Sequence, residues 1–282
     1  MKAIQDIGGN LIAIHDISDS VGIIDSYFPK TQFFQEFKEF QNFIQHRKNT
    51  GQPLNYLTVC SPNFLHKEHI QFGLEMGADI ICEKPIVIDE KDIDDLQKLE
   101  KINHQRVYTI LQLRYHPSIL ALKEKVNHSN ISYSQIELEY ITSRGPWYQN
   151  SWKGDIQKSG GIAINIGIHL FDMLSWIFGT MIDCQVEDYN SQTARGVMKM
   201  ERAHVLWKIS TDENQLPLAA KKNNQRTYRS IRIDGMEIEF SDGFTDLHTT
   251  CYREIIEGRG LGLEDARESI RISNKIRTYD HQ

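Results

Sequence analysis

The amino-acid sequence predicts an α/β protein: a parallel sheet covered by helices, followed by an α+β domain with a mainly antiparallel sheet. Three observations predict it. Short apolar runs alternate with stretches of helical spacing through the first part of the chain, the pattern of βαβ units. Later runs alternate apolar and polar residues and carry a hairpin signal at Asp234-Gly235. The length, 282 residues, suits one large or two ordinary domains, here drawn as 1–115 and 116–282.

Taken in order, Met1 to Ile7 reads as the tail of a helix stopped by Gly8-Gly9. Leu11 to His15 is a strand ending at Asp16. Phe33, Phe34, Phe37, Phe40, Phe43 and Ile44 recur at roughly helical spacing and predict a helix face packed on the sheet. Tyr56 to Cys60 is a strand that runs into Ser61-Pro62-Asn63. His66 to Met76 is a helix with Ile70 and Leu74 on one face and Gly77 as its stop. Asp79 to Cys82 is a strand leading into Glu83-Lys84-Pro85, Asp89 to Ile102 a helix, and Arg106 to Leu113 a strand. In the second part, Ser132 to Tyr140 alternates as a strand and Ile162 to Phe178 is an apolar helix ending at Gly179. Val197 to Ser210 holds strand-like stretches, Tyr228 to Phe240 a hairpin, and Leu247 to Glu257 and Glu264 to Ile276 are helices.

A hydrophobic share of 40% with 25% charged residues excludes disordered and low-complexity classes. Lys plus Arg is 32 and Asp plus Glu is 38; the resulting net charge of -6 argues against a nucleic-acid partner, although it permits a local basic pocket. The four cysteines form no C-x-x-C pair and fit no zinc spacing, so a reduced cytoplasmic chain without a metal is expected. His66-x-x-His69 lacks a third ligand nearby in sequence. No run of 18 apolar residues predicts a membrane span, and Met1 to Asp6 lacks the apolar segment of a leader.

Ligands of parallel sheets bind outside the carboxyl ends of the strands. That puts Asp16 where an acid takes the hydroxyls of a dinucleotide's ribose, and Lys84 over the pocket. A lysine there can hydrogen-bond a hydroxyl and favour the alkoxide by its charge; a plain surface lysine is the alternative. Asn165, His169 and Asp172 share one face of an otherwise apolar helix, and three polar groups in such a place need a reason. His169 suits a proton acceptor, with Asp172 to orient the imidazole and Asn165 to position substrate. The alternative is a buried trio bonded to one another. No G-x-G-x-x-G occurs; Gly258-Arg-Gly260-Leu-Gly262 and Gly160-Gly161 have no strand before them.

Cys82-Glu83-Lys84-Pro85 after a strand, together with Gly160-Gly161, Asn165, Gly167, His169 and Asp172, resembles the Gfo/Idh/MocA oxidoreductase family. Ser61-Pro62-Asn63 with His66, and Gln112-x-Arg114, also match its pattern. The stretches ICEKP, ILQLRYH, YITSRGPWYQNSWKGD, NIGIHLFDML and FSDGFTDLHTT are similar to its subgroup of UDP-N-acetyl-2-amino-2-deoxyglucuronate 3-dehydrogenases. The resemblance implies a Rossmann-like domain binding NAD, and Lys84 and His169 as the catalytic pair. It implies Asp16 and Ile17 facing the adenosine, and Ser61, Pro62, Asn63 and His66 lining the dinucleotide. Glu83, Lys84 and Arg114 are then expected near the nicotinamide, with Trp152 and Lys153 closing over cofactor or sugar. Arg144, Tyr148, Asn165 and Asp172 join Lys84 and His169 around the substrate.

The implied reaction is oxidation of the 3-hydroxyl of UDP-N-acetylglucosaminuronate for surface-polysaccharide (O-antigen) synthesis, with the NADH recycled by 2-oxoglutarate. A homo-oligomer, tetramer or dimer, is implied as well. Family members begin earlier, with a first strand and a Gly-rich loop. This sequence is therefore expected to form an N-terminally truncated Rossmann-like sheet with two strands left unpaired on one edge. Two other readings stand beside this one: a catalytically silent binding or assembly subunit, and a dehydrogenase of the same family acting on another sugar.

Overall fold

The computed structural model describes residues 1–20, 22–128, 133–238 and 244–279. The amino-terminal part runs α1 (Lys2–Asp6), β1 (Ala13–His15), α2 (Ile23–Tyr27), β2 (Gln32–Phe34), α3 (Phe37–Asn49), β3 (Tyr56–Val59), α4 (His66–Glu75), β4 (Asp79–Cys82), α5 (Lys91–Asn103) and β5 (Val107–Thr109). All its strand pairs are parallel, as the alternation of strand and helix requires. They fall into two groups, β1-β2 and β3-β4-β5, which do not pair with each other.

A two-stranded unit is marginal by itself. What attaches β1-β2 is the aromatic stripe. Phe40 and Ile44 of α3 are buried against Phe72 of α4, with Ala13, Phe34, Phe37 and Leu57 packed around them. The stripe is not one helix face, however. Phe33 and Phe34 lie on β2 and only Phe37 onwards lies on α3, because a bend at Gln35 and Glu36 separates the elements.

The second part continues with α6 (Pro117–His128), β6 (Ser134–Thr142), α7 (Pro146–Asn150), α8 (Ile156–Ser159), a π-turn at Ala163–Gly167, α9 (Ile168–Phe178), β7 (Met181–Tyr189), β8 (Thr193–Met200), β9 (Ala203–Ser210), α10 (Leu218–Lys222), β10 (Thr227–Ile233), β11 (Met236–Glu237), α11 (Leu247–Ile256) and α12 (Leu263–Arg277). Its sheet has the order β11-β10-β6-β9-β8-β7. Among the described residues, only β6 and β9 are parallel neighbours in it. The expected starting residue of the first strand, Ser132, and the end of the predicted hairpin, Glu239-Phe240, lie outside the described residues.

Alternate residues of β6, Ile136 and Leu138, face α9 and α12, where Phe171, Leu174 and Ile272 complete the core. Phe171 meets Trp207 of β9 edge-on, ring centroids 5.7 Å apart. The stretch Ile156–Phe178 is long and apolar enough to cross a membrane, but 78% of its 18-residue apolar window is buried inside the fold. The helix predicted over Ile162–Phe178 is present, but its first turns are π rather than α. Gly160 closes α8 at φ +81°, and the π-turn precedes α9. Gly167 lets the turn lie directly on the core: a Cβ there would come within 2.6 Å of Phe171 Cε2 and 2.9 Å of Ile209 Cδ1.

The last two helices return to the first sheet. Leu263, Ala266 and Ile270 of α12 join Val59, Ile80, Leu96 and Val107 in one buried cluster. Cys251, Tyr252 and Ile255 of α11 join Ala3, Ile81 and Ile110 in another. Residues distant in sequence thus finish the amino-terminal core, and they carry α11 to the mouth of the β4 strand.

Candidate active site

Lys84 leaves the end of β4 through the cis Lys84–Pro85 bond and reaches across to the second part of the chain. Its Nζ donates to the main-chain oxygen of Asn165 at 3.1 Å. That oxygen lies within the π-turn, a distortion that recurs at functional sites. Asn165 Nδ2 donates to Tyr148 Oη at 2.6 Å, tying the turn to α7. Lys84, Asn165, Tyr148 and His169 therefore converge, although they come from three separate stretches.

The protonation states suit proton transfer. Burial pushes the Lys84 ammonium down to about 8; Glu83 opposes this, while Lys153 and Arg144 add to it. Burial likewise holds His169 well below its ordinary 6.5, with the charges of Lys84, His248 and Arg229 contributing. The imidazole is thus neutral, and the ammonium charged, near pH 7. Burial opposes ionisation of Glu83, but the hydrogen bond with His248 at 3.2 Å and the neighbouring Lys84 keep it below the usual carboxylate range. The same bond raises the pKa of His248.

Positive charge gathers around this centre in a chain whose net charge is -6. Arg144 and Lys153 both act on Lys84, and among the described residues neither has a carboxylate partner. Lys153 instead sits 5.1 Å from the Trp147 ring centroid and 5.7 Å from that of Trp152. Trp147 is 56% exposed and forms the rim.

Asp172 and Arg114 occupy positions other than those expected. Asp172 does not orient the His169 imidazole. Arg114 Nε and Nη2 donate to its two carboxylate oxygens at 3.1 and 2.8 Å. Arg114 is held on both edges by protein groups. Its remaining donors go to Asp265 Oδ1 at 3.0 Å and the Asp265 main-chain oxygen at 2.6 Å. One turn of α9 separates His169 from Asp172, and α12 brings an acid that completes the pairing from the other side.

Three further positions are also engaged internally. Both ring nitrogens of the buried His66 approach main-chain oxygens, Pro85 O at 2.6 Å and Ser61 O at 2.8 Å, so His66 joins the loops after β3 and β4. Asn63 is buried and donates to Ser159 O at 2.8 Å. Ser61 Oγ lies 2.9 Å from His69 Nδ1. Asp16, by contrast, is exposed at the end of β1 and caps its own turn by accepting from Ser18 N. Ile17 beside it is 83% exposed and helps line a cavity of about 440 Å³ with His15, Phe37, Leu65 and His69.

Two residues near the centre were missed by sequence reasoning. His248 comes from α11, where its spacing to Cys251, three residues on, is a weak metal-pair pattern and says nothing of Glu83. Arg229 of β10 stands on the core-facing side of the strand, where alternation predicts an apolar residue. A charge in that alternation was the available signal.

Residues 3–110 match the family model described as an NAD-binding Rossmann fold of the Gfo/Idh/MocA oxidoreductases, and residues 129–208 match that family's carboxy-terminal α/β domain. The WlbA (WbpB) dehydrogenase from Thermus thermophilus, solved in complex with NAD and alpha-ketoglutarate, is 43% identical at a TM-score of 0.96, over 100% of this chain and 91% of that one. A second structure of that enzyme, with NAD and UDP-GlcNAcA, aligns at 42% identity with the same TM-score and coverage. The WlbA dehydrogenase from Bordetella pertussis, at 15% identity and TM-score 0.78, over 98% of this chain and 89% of that one, shares the fold. Among curated relatives, the inositol 2-dehydrogenase of Rhizobium meliloti is 26% identical over 53% of this chain and 42% of its own length. The chain spans less than half the length of the curated relatives it matches first. With both domains matched and a full-length structural relative above 40% identity, the chain belongs to the Gfo/Idh/MocA oxidoreductase family, and its amino-terminal part is that family's NAD-binding Rossmann fold.

Proposed function

We propose that the chain is an NAD-dependent dehydrogenase of a UDP-linked amino-hexuronate, oxidising its 3-hydroxyl to the ketone. The observation that carries this is the cluster of Lys84, Arg144 and Lys153 beside a neutral His169. Cations without carboxylate partners call for a polyanionic substrate, and a sugar nucleotide bearing a diphosphate and a carboxylate meets that need. The likeness to an enzyme solved with UDP-GlcNAcA supports the same choice.

The residues at the strand ends fit NAD. The cavity beside Ile17 offers Ile17, Leu65 and the Phe37 ring to an adenine, with Gln35, Glu36 and Glu68 as polar groups on its wall, and the exposed Asp16 carboxylate suits ribose hydroxyls. Glu83 and Lys84, at the end of β4, serve the nicotinamide end. Bound there, NAD supplies the hydride acceptor. The remaining work falls to the chain's own groups. His169 takes the hydroxyl proton on its free imidazole nitrogen. Lys84 donates a hydrogen bond to the oxygen that becomes negative as that proton leaves. Tyr148 and Asn165 hold the substrate-facing wall, while Arg144 and Lys153 take the diphosphate.

We place the protein in the cytoplasm, in surface-polysaccharide (O-antigen) synthesis, with 2-oxoglutarate reoxidising the NADH. The domain division at residue 115 and a homo-oligomer formed through the open face of the larger sheet belong to the same reading. Leu206 and Ile182 are exposed on that sheet, 48% and 58% respectively.

The test is NAD binding by calorimetry, followed by NADH formation from UDP-GlcNAcA with and without 2-oxoglutarate. Tight binding, one turnover without the keto acid and many with it are expected. Absence of NAD binding points instead to a silent binding subunit. Turnover of other UDP-sugars in preference to the uronate points to a different sugar.

A further inference from the structure

We infer that Arg229 is the carboxylate-recognising residue of the pocket, the one that distinguishes a uronate from the corresponding neutral hexose nucleotide. This rests on the dehydrogenase reading above and deepens it.

Arg229 lies on β10 with Ile231 and Ile233, residues of the same sheet face that are buried in the core. It is the point at which that face changes from apolar packing to charge. In register it stands opposite Tyr140 of β6, which pairs with Ile209 of β9. Ile209 lies directly under Gly167, two residues before His169. Arg229 therefore shares the sheet face that packs under the turn carrying His169, and its charge is felt at His169.

Two aromatic rings hold it. Its Cζ lies 5.2 Å from the Tyr140 ring centroid and 4.8 Å from that of Phe244. Phe244 is in turn 5.0 Å from the His116 ring. A guanidinium laid on rings presents its N–H edge, a planar fork suited to a planar two-oxygen acceptor. Among the described residues, no carboxylate pairs with it. The contrast on the same strand is direct. Arg232, on the opposite face, is paired with Glu237 at 3.1 Å and Glu137 at 3.8 Å. A half-buried charge left without a counter-ion beside a substrate pocket is matched by an anion that arrives with the substrate. Arg144 and Lys153 are placed after β6, on the Trp147 rim, and account for the diphosphate. Arg229 is less exposed than Arg144 and acts on His169, which suits it to the sugar's end.

The experiment compares wild type, Arg229→Gln and Arg229→Lys with UDP-GlcNAcA and with UDP-GlcNAc, which carries a neutral hydroxymethyl group. The readout is the ratio of the two kcat/KM values, with near-ultraviolet circular dichroism and NAD binding as controls of folding. The ratio is expected to fall roughly 10- to 100-fold in Arg229→Gln, the scale of one charge-assisted hydrogen-bond pair. Arg229→Lys keeps the charge but loses the fork, and should fall in between. An unchanged ratio in a folded, NAD-binding Arg229→Gln variant overturns the assignment while leaving the dehydrogenase reading intact. Failure of wild type to oxidise UDP-GlcNAcA overturns both, and is recognised before any variant is made.

Discussion

Replacing Asp172 by Asn separates two roles that its position on α9 allows. If Asp172 oriented the His169 imidazole, the substitution would leave stability alone and remove activity. The structure gives it to Arg114 instead. The side chains of Asp172 and Arg114 are 1% and 9% exposed, so solvent screens the pair little. Asn keeps the shape but carries no charge, and at best one of the two bonds, at 3.1 and 2.8 Å, survives as a neutral one. Hydrogen bonds to charged groups contribute roughly 1.5–3 kcal/mol each. Asp265 still holds the other edge of Arg114, so the loss belongs near the low end for a broken buried pair, about 3 kcal/mol. With a slope of about 3 kcal/mol per molar urea, the unfolding midpoint should drop by about 1 M. The assay is urea denaturation followed by tryptophan fluorescence, with kcat measured well below the transition. A lowered midpoint with kcat close to wild type is expected. An unchanged midpoint with a large loss of kcat refutes the reasoning and returns Asp172 to the imidazole.

Lys84→Met and His169→Asn should each lower kcat by roughly 10²–10⁴-fold, the usual scale of a lost acid–base group, with unchanged circular dichroism; wild-type rates in both would exclude them from the chemistry. The pH profile of kcat/KM should decline above about 8, where the buried Lys84 ammonium loses its proton. His169 is needed neutral and its pKa lies well below 6.5, so no acidic limb is expected above that pH; a limb centred at 6.5 would show an exposed imidazole. Gly167→Ala places a methyl group 2.6 Å from Phe171 and 2.9 Å from Ile209. Overpacking of this kind costs roughly 1–3 kcal/mol, or about 3–9 °C of Tm, and an unchanged Tm would show that the π-turn yields freely.

Much of this was legible along the chain. The run Asp79–Cys82 is a strand from end to end, and helices α4, α5, α11 and α12 stand within two residues of their apolar periodicity. Those features arise from local spacing, which a sequence displays directly. The positions of Lys84 and His169 also follow from local rules, the end of a buried strand and a polar residue on an apolar helix. Three kinds of fact did not. The π-turn interrupts an unbroken helical pattern because Gly167 must pack against β9, a constraint set by another strand. The aromatic stripe splits between β2 and α3 because β1 supplies a parallel partner for Phe33 and Phe34. The partners of Arg114 lie 58 and 151 residues away in sequence, and His248 reaches Glu83 across 165. A lone ionisable side chain carries no sign of which opposite charge will be folded against it. Residue type and spacing therefore told which groups were available for chemistry, and only the packing of distant helices determined which remained free for it and which were neutralised as structure.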